Sequence, residues 1–294
     1  MIESALKKLY WMLFKHLDYV KYILYLRFLA LNNLISRRSL TSAYGPVVSL
    51  TSYGGRVDSV FLTIESIAQG KLLPSRLILW IDDQRIFSDL PVSLRRLQKR
   101  GLDIRKCENF GPHTKYFGYV ESEATFSKPV VTADDDVIYP RFWLGGLVAA
   151  FAIDAKVINC YRARSIKIKD GKFLPYDMWP LCTTTEASFS NFGTGVSGVI
   201  YPPEFLLYLK NAGRDFMRSC PKADDIWLHV SAIRSGWKVR QISDQALELK
   251  MIPGSQEQAL KLQNQYSEGN DRAIASTYSK EDIDRLVSCP ESMQ

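Results

Sequence analysis

The sequence predicts an α/β protein: a mainly parallel central sheet flanked by helices and preceded by an amphipathic helix. Three observations carry this. Short apolar or β-branched runs at 47–53, 76–81 and 128–133 alternate with stretches of helical periodicity, the pattern of strands joined by crossover helices. Each run stops at turn or acidic residues: Gly54-Gly55, Asp82-Asp83 and Asp134-Asp135-Asp136. The first 40 residues follow a different, basic pattern.

In that N-terminal segment Leu6, Tyr10, Leu13, Leu17, Val20, Leu24, Phe28 and Leu31 recur at spacings of three and four, which stacks them on one helix face. Lys7, Lys8, Lys15, Asp18 and Lys21 fall elsewhere, and Arg27 lies near the apolar stripe. Residues 1–38 hold seven Lys and Arg against Glu3 and Asp18, a net +5 out of the formal +7 of the whole chain. No run of about 18 uncharged apolar residues exists, so a membrane span is not expected. A signal peptide is not expected either, because the uninterrupted apolar core and cleavage site are missing. Two partners suit this segment, residues 1–40: a membrane surface, with Trp11, Tyr19 and Tyr22 at the boundary, or the rest of the protein or a second subunit. Lysine and aromatic content favours the membrane, and both can hold at once.

After the linker 39–42, the first predicted strand, 47–53, is followed by a helix at 57–68, a strand at 76–81 and a polar helix near 91–100. Strands near 102–107 and at 128–133 and a helix at 142–152 complete the regular part. Beyond residue 155, strands are expected at 157–160, 165–169 and 239–242, with loop at 172–192 and a helix within 220–236. The expected organisation is a domain at 46–250, divided at about 140, and a polar tail at 251–294 with a helix at 280–287. The five cysteines, Cys107, Cys160, Cys182, Cys220 and Cys289, form no CxxC pair, which argues against a zinc site or a disulfide framework and points to a reducing cytosol. No basic stripe with interleaved aromatics follows residue 40, so nucleic acid is not an expected partner.

Ligands of parallel sheets bind beyond the carboxyl ends of the strands, where Tyr53, Asp82 and the aspartate triplet are expected. Three consecutive carboxylates repel one another unless they are solvated or bind a cation. Hard divalent ions with oxygen ligands, Mn²⁺ or Mg²⁺, meet that need and bridge to a diphosphate. In an extended segment Asp134 and Asp136 would share one side and form the metal pair; a solvated loop or helix cap is the other reading. Asp224-Asp225 opens a predicted helix, where the helix dipole or a role as general base accounts for it. Gly193-Thr194-Gly195-Val196-Ser197-Gly198 suits close backbone approach to a ligand, or a plain turn, since no GK[ST] follows. Lys115 is a candidate for phosphate neutralisation. His113 and His229 are isolated, and with no Gly-x-Ser-x-Gly elbow a catalytic triad is not expected.

Taken together, the segment 48–53 with Arg56, the strand-ending Asp82, Thr132-Ala133-Asp134-Asp135-Asp136, and Asp224-Asp225 followed by Gly236-Trp237 resemble the GT-A (Rossmann-related) glycosyltransferases. The likeness is strongest to bacterial inverting family-2-like enzymes of surface polysaccharide synthesis and spans roughly residues 46–245. It implies a nucleotide-sugar half at 46–140 and an acceptor half at 141–250. Thr51, Tyr53 and Asp82 would line the nucleoside pocket with Arg56 nearby, and Asp134 and Asp135 would contact the ribose or diphosphate. Asp136, with Asp134, would hold Mn²⁺ or Mg²⁺, and Asp225 would be the catalytic base after the acidic Asp224. The implied partners are a nucleotide-diphosphate sugar and a glycan or lipid-linked glycan acceptor at the cytoplasmic face of the membrane, with oligomerisation open. Tyr161, Arg162, Arg164, Trp179 and Glu186 would shape the acceptor site, the aromatic rings stacking on sugars. The sequence departs from the family in having no histidine after His229 to complete the metal site and in carrying Asp224 where Glu is usual. A nucleotidyltransferase and a non-catalytic membrane-bound adaptor of the same fold are the competing readings. The segment 51–56, with one arginine, fits the first poorly, and the retained carboxylates argue against the second.

Overall fold

A computed structural model describes residues 2–255 and 269–288. The chain opens with α1 (Ile2–Ile35), β1 (Val47–Thr51), α2 (Val60–Ala68), β2 (Arg76–Ile81), α3 (Gln84–Ser88), α4 (Val92–Gln98) and β3 (Leu102–Lys106). It continues through α5 (Thr114–Ser122), β4 (Val130–Ala133), β5 (Val137–Ile138), α6 (Trp143–Ile153), β6 (Val157–Cys160), β7 (Ala163–Ser165), β8 (Ile168–Lys169) and β9 (Lys172–Phe173). The last part holds β10 (Asn191–Gly193), β11 (Val199–Tyr201), α7 (Pro203–Ala212), α8 (Phe216–Ser219), α9 (Asp224–Ser235), β12 (Lys238–Gln241), β13 (Lys250–Met251), α10 (Gly269–Thr277) and α11 (Lys280–Ser288).

Seven strands form the central sheet in the order β12-β6-β11-β4-β1-β2-β3. β1 pairs in parallel with β2 and β4, β2 with β3, and β6 with β12; only β11 runs antiparallel, between β4 and β6. This is the mainly parallel, helix-flanked sheet that the sequence predicts. Both faces are covered, which is why β1 and β2 read as continuous apolar runs. Alternation along each strand sorts the side chains. Leu77, Leu79 and Ile81 pack with Val60, Ile64, Leu94 and Leu147 of α2, α4 and α6, whereas Ile78 and Trp80 pack with Phe117, Val120 and Val230 of α5 and α9. Gly118 lets α5 close on Trp80: a Cβ there would lie 2.7 Å from the indole ring.

The common register sets Val47 opposite both Arg76 and Val130, so β1, β2 and β4 end together. Their carboxyl ends place Ser52, Asp82 and Asp134 on one rim. Two features differ from expectation. The segment after residue 255 was expected to hold one helix, at 280–287; α11 is present and α10 precedes it. Both pack on α9, with Ile274, Tyr278 and Leu286 in the core and Arg234 bound to Asp282 at 2.7 Å. The segment 172–192, expected as loop, contributes short strands, because β10 pairs with β7.

α1 touches the domain along one side only. Leu29 is buried with Ile138 and Ile252, Asn33 hydrogen-bonds Glu65, and Glu65 forms a buried ion pair with Arg100. Away from that side Phe14, Leu17, Leu24, Phe28, Leu31 and Ile35 are each 46–67% exposed. Among the described residues no helix is long and apolar enough to cross a membrane.

Candidate active site

β4 delivers the aspartate triplet to the rim, and the chain then bends rather than remaining extended. The bend is fixed from several sides. The Asp134 amide donates to the Tyr139 hydroxyl (2.8 Å), the Thr63 hydroxyl donates to the Asp135 carbonyl (3.0 Å), and the Ile252 amide donates to the Asp136 carbonyl (2.7 Å). The side chains therefore do not alternate as they would along a strand. The expectation that Asp134 and Asp136 would share one side is corrected, since it assumed an extended backbone. Asp135 and Asp136 instead share the guanidinium of Arg56, each at 2.9 Å, while Asp134 turns to Lys115, also at 2.9 Å.

Arg56 comes from the short helical turn that follows β1, and its Nε donates to the Ser255 carbonyl at 3.2 Å. The Ser52 hydroxyl donates to the second oxygen of Asp135 at 2.6 Å. Burial pushes Asp135 up to about 6, against the pull of Arg56 and Ser52. Tyr53 lies with its ring 5.5 Å from the Arg56 guanidinium. Thr51 donates its hydroxyl to the Trp80 carbonyl at 3.2 Å, so its polar atom is spent inside the sheet. Asp82 stands at the end of β2, and its charge is felt by Cys107. Thus Arg56, Tyr53 and the triplet converge, while Thr51 and Asp82 share the rim without joining that cluster.

Lys115, in the first turn of α5, is buried and bridges two elements: its Nζ lies 2.9 Å from Asp134 and 3.0 Å from Asp224. Burial would lower its pKa, but Asp134, Asp224 and Asp225 outweigh that and hold the ammonium well above its ordinary value. Asp224 and Asp225 open α9, as the sequence predicts, where the helix dipole favours negative charge. Asp225 accepts a hydrogen bond from the Gly195 amide at 3.0 Å. Burial and the neighbouring Asp224 push its carboxyl up to about 7, with Lys115 opposing. A carboxyl near neutrality suits a general base.

The glycine-rich segment finds its reason here. A Cβ on Gly195 would lie 3.0 Å from Lys115 Nζ and 3.1 Å from Asp225 Oδ1, so a larger residue would crowd both groups. Gly198 has φ +99° and faces Trp143 at a distance that no Cβ fits. Both histidines are structural. Burial lowers each to about 4, His113 between the Tyr116 hydroxyl and the Cys220 carbonyl, His229 between the Tyr278 hydroxyl and the Phe189 carbonyl.

The rim's carboxylate oxygens have the right chemistry for Mn²⁺ or Mg²⁺. Their arrangement does not fit one: Asp135 and Asp136 are held by Arg56, and Asp134 and Asp224 by Lys115. Among the described residues no three His, Cys, Asp or Glu side chains converge as a ligand set. An ion at Asp136 has to displace the guanidinium first.

Trp179 and Tyr161 do not form the expected aromatic platform. Trp179 is fully buried and donates to the Leu174 carbonyl, and Tyr161 is buried with its hydroxyl on the Trp143 carbonyl. Their rings are spent on the core. Arg162 and Arg164 flank the site instead, and Glu186 is exposed. Tyr176, which sequence reasoning did not single out, stands beside Asp225 with Arg164 over its ring at 5.0 Å.

No family model and no curated protein matches the sequence. Several solved structures are similar. The mannosyltransferase PcManGT from Pyrobaculum calidifontis, in complex with GDP-Man and Mn²⁺, is 13% identical; the match covers 90% of this chain and 75% of that one, at a TM-score of 0.48. GalNAc-T7 with UDP, GalNAc and Mn²⁺ is 12% identical, covering 67% of this chain but only 42% of the other, at a TM-score of 0.46. CMP:2-keto-3-deoxy-manno-octonic acid synthetase complexed with CTP is 12% identical, covering 75% and 98%, at a TM-score of 0.45. Likenesses this distant carry no reading of function, which rests on the site itself.

Proposed function

We propose that this chain is a glycosyltransferase that moves a sugar from a nucleotide-diphosphate donor to a glycan or lipid-linked glycan hydroxyl, with inversion. The observation that carries the reading is Asp225: a carboxyl pushed up to about 7, aimed by the Gly195 amide, and joined through Lys115 to the rim where a donor would lie. In this reading Asp225 takes the proton of the acceptor hydroxyl, whose oxygen bonds to the anomeric carbon. The bond from that carbon to the diphosphate breaks, and the nucleoside diphosphate leaves with the electron pair. Lys115 and Arg56 are the cations beside the departing charge, and Tyr53, Thr51 and Asp82 flank the space for the nucleoside. Mn²⁺ or Mg²⁺ is implied by the family resemblance alone, and no step is assigned to it. The competing nucleotidyltransferase reading wants several basic residues for a triphosphate, whereas the segment 51–56 carries one arginine.

The deciding experiment is a screen of nucleotide sugars for release of nucleoside diphosphate, comparing wild type with Asp225→Asn. Turnover of one donor, falling at least 100-fold in the variant, is the expected outcome. Pyrophosphate release from a nucleoside triphosphate and a sugar phosphate, with no nucleotide sugar consumed, would overturn the reading.

The exposed stripe of α1 supports a place at the surface of a membrane, on the cytoplasmic side, where a lipid-linked acceptor would be met. Its basic residues suit anionic headgroups.

A further inference from the structure

We propose that the acceptor carries an anionic group, a carboxylate or a phosphate, and that Arg162 and Arg164 receive it beside the hydroxyl that Asp225 deprotonates. The inference rests on the glycosyltransferase reading and adds the chemical class of the second substrate.

Arg162 and Arg164 are two apart at the start of an extended strand, so their side chains leave on the same side. Both are partly buried, and among the described residues neither meets a carboxylate. That sets them apart from Arg56, Arg76, Arg100 and Arg234, each of which is paired to Asp or Glu within 3.2 Å. The contacts they do make are neutral: Arg162 donates to the Thr194 hydroxyl at 3.1 Å, and Arg164 donates to the Trp179 carbonyl and stacks on Tyr176. The Nε of Arg164 is buried with no hydrogen-bond partner among the described residues. Guanidinium groups drawn from water without a counter-charge are costly, and their forked donors match carboxylate and phosphate oxygens.

Position ties the pair to the chemistry. The Arg162 carbonyl accepts from the Thr194 amide at 2.9 Å, and the next residue is Gly195, whose amide holds Asp225. The Tyr176 hydroxyl senses all three groups, Asp225 raising its pKa and Arg164 and Arg162 lowering it, on top of a larger rise from burial. Lys115, the other cation beside Asp225, is already shared between Asp134 and Asp224, which leaves the two arginines for an acceptor's anionic group. A charged acceptor is therefore oriented, with its anionic group toward the arginines and its hydroxyl toward Asp225. The group itself is unchanged by the transfer.

The test is titration calorimetry of the full chain, with UDP or GDP present, using three probes: methyl β-D-glucuronide, methyl phosphate and the neutral methyl β-D-glucoside. The expected result is that an anionic probe binds about tenfold or more tightly than the glucoside. That preference is expected to vanish in the Arg162→Gln/Arg164→Gln variant and to survive in part in the Arg162→Lys/Arg164→Lys variant, which keeps charge but loses the fork. Which anionic probe wins separates a uronate from a phosphate source. Equal binding of the three probes, or binding of none, overturns the proposal. Loss of nucleotide affinity in the Gln variant overturns it too, by assigning the arginines to the donor. Because the readout is binding, it is separable from the reading it rests on: a charge preference without any nucleotide-sugar turnover sinks the transferase and leaves the anion site standing.

Discussion

At the residue scale two carboxyls of the site, Asp135 and Asp225, have their protonation set first by burial. Asp225 at about 7 and Asp135 at about 6 both sit above their ordinary value of 3.8. The native state therefore holds these protons more tightly than the unfolded chain. Their contribution to stability is fully present below pH 3.8 and is lost as pH rises through about 6 and about 7. His113 and His229, lowered from 6.5 to about 4, act with the opposite sign and destabilise as pH falls through that window. Above pH 6.5 Asp225 is left as the main titrating group of this set. Turnover is expected to rise with pH through about 7 as the base ionises, while thermal stability declines over the same interval. Asp225→Asn should flatten that decline, which melting curves at pH 6 and pH 8 would check; an unchanged slope would remove Asp225 as its source. Arg56 invites a separate measurement. It competes with any divalent ion for Asp135 and Asp136, so Arg56→Gln should bind Mn²⁺ about tenfold or more tightly than wild type, read by the Mn²⁺ resonance signal in solution. Equal affinities would mean that the ion binds elsewhere.

At the scale of elements, the sequence is most readable where strands are apolar runs with polar stops. β1, β2 and β4 are of this kind, and the same stops, Asp82 and the triplet, are the rim residues. Lys115 and Asp225 were legible as residue types, but their partners were not. The turn that sends Asp134 to Lys115 and Asp136 to Arg56 is made by the nearby Tyr139 together with Thr63 and Ile252, which are distant in sequence. α10 was illegible for a related reason. Residues 269–277 carry one apolar residue besides two alanines, Ile274, and docking on α9 stabilises a helix that propensity would not. Trp179 misled because an aromatic residue in a polar segment reads the same whether it faces a sugar or the core. α1 was legible as amphipathic, and its apolar residues divide between two jobs: Leu29 docks on the domain while Phe14, Leu17 and Leu24 face outward. Replacing those three outward residues by serine leaves the docking side intact and should cut sedimentation with anionic liposomes by about tenfold or more. Undiminished sedimentation would rule out the stripe as the membrane contact.

At the scale of the molecule, β11 is the seam. Running antiparallel between β4 and β6, it joins the strands β1–β4 to β6 and β12 in one continuous sheet. The buried Glu65–Arg100 pair ties α2 to the end of α4 beneath Asn33 of α1. Glu65→Ala leaves a buried guanidinium unpaired and is expected to cost about 3–5 kcal/mol of stability, measured by urea unfolding. A loss under 1 kcal/mol would mean that water reaches Arg100.

One further connection follows from where α1 ends its contacts. Asp18 holds Lys250 and the Tyr22 hydroxyl holds the Met251 carbonyl, each at 2.6 Å. Lys250 and Met251 pair with β5, and the next amide, that of Ile252, closes the turn of the aspartates. The helix and the aspartate turn are thus joined by two hydrogen bonds through adjacent residues of one short segment and should open as one cooperative unit. In hydrogen exchange, Tyr22→Phe should speed the exchange of the Ile252 amide together with that of Met251, and a surface that grips α1 should slow both. The N-terminal helix would then set how long the aspartate turn stays closed, as well as where the protein sits.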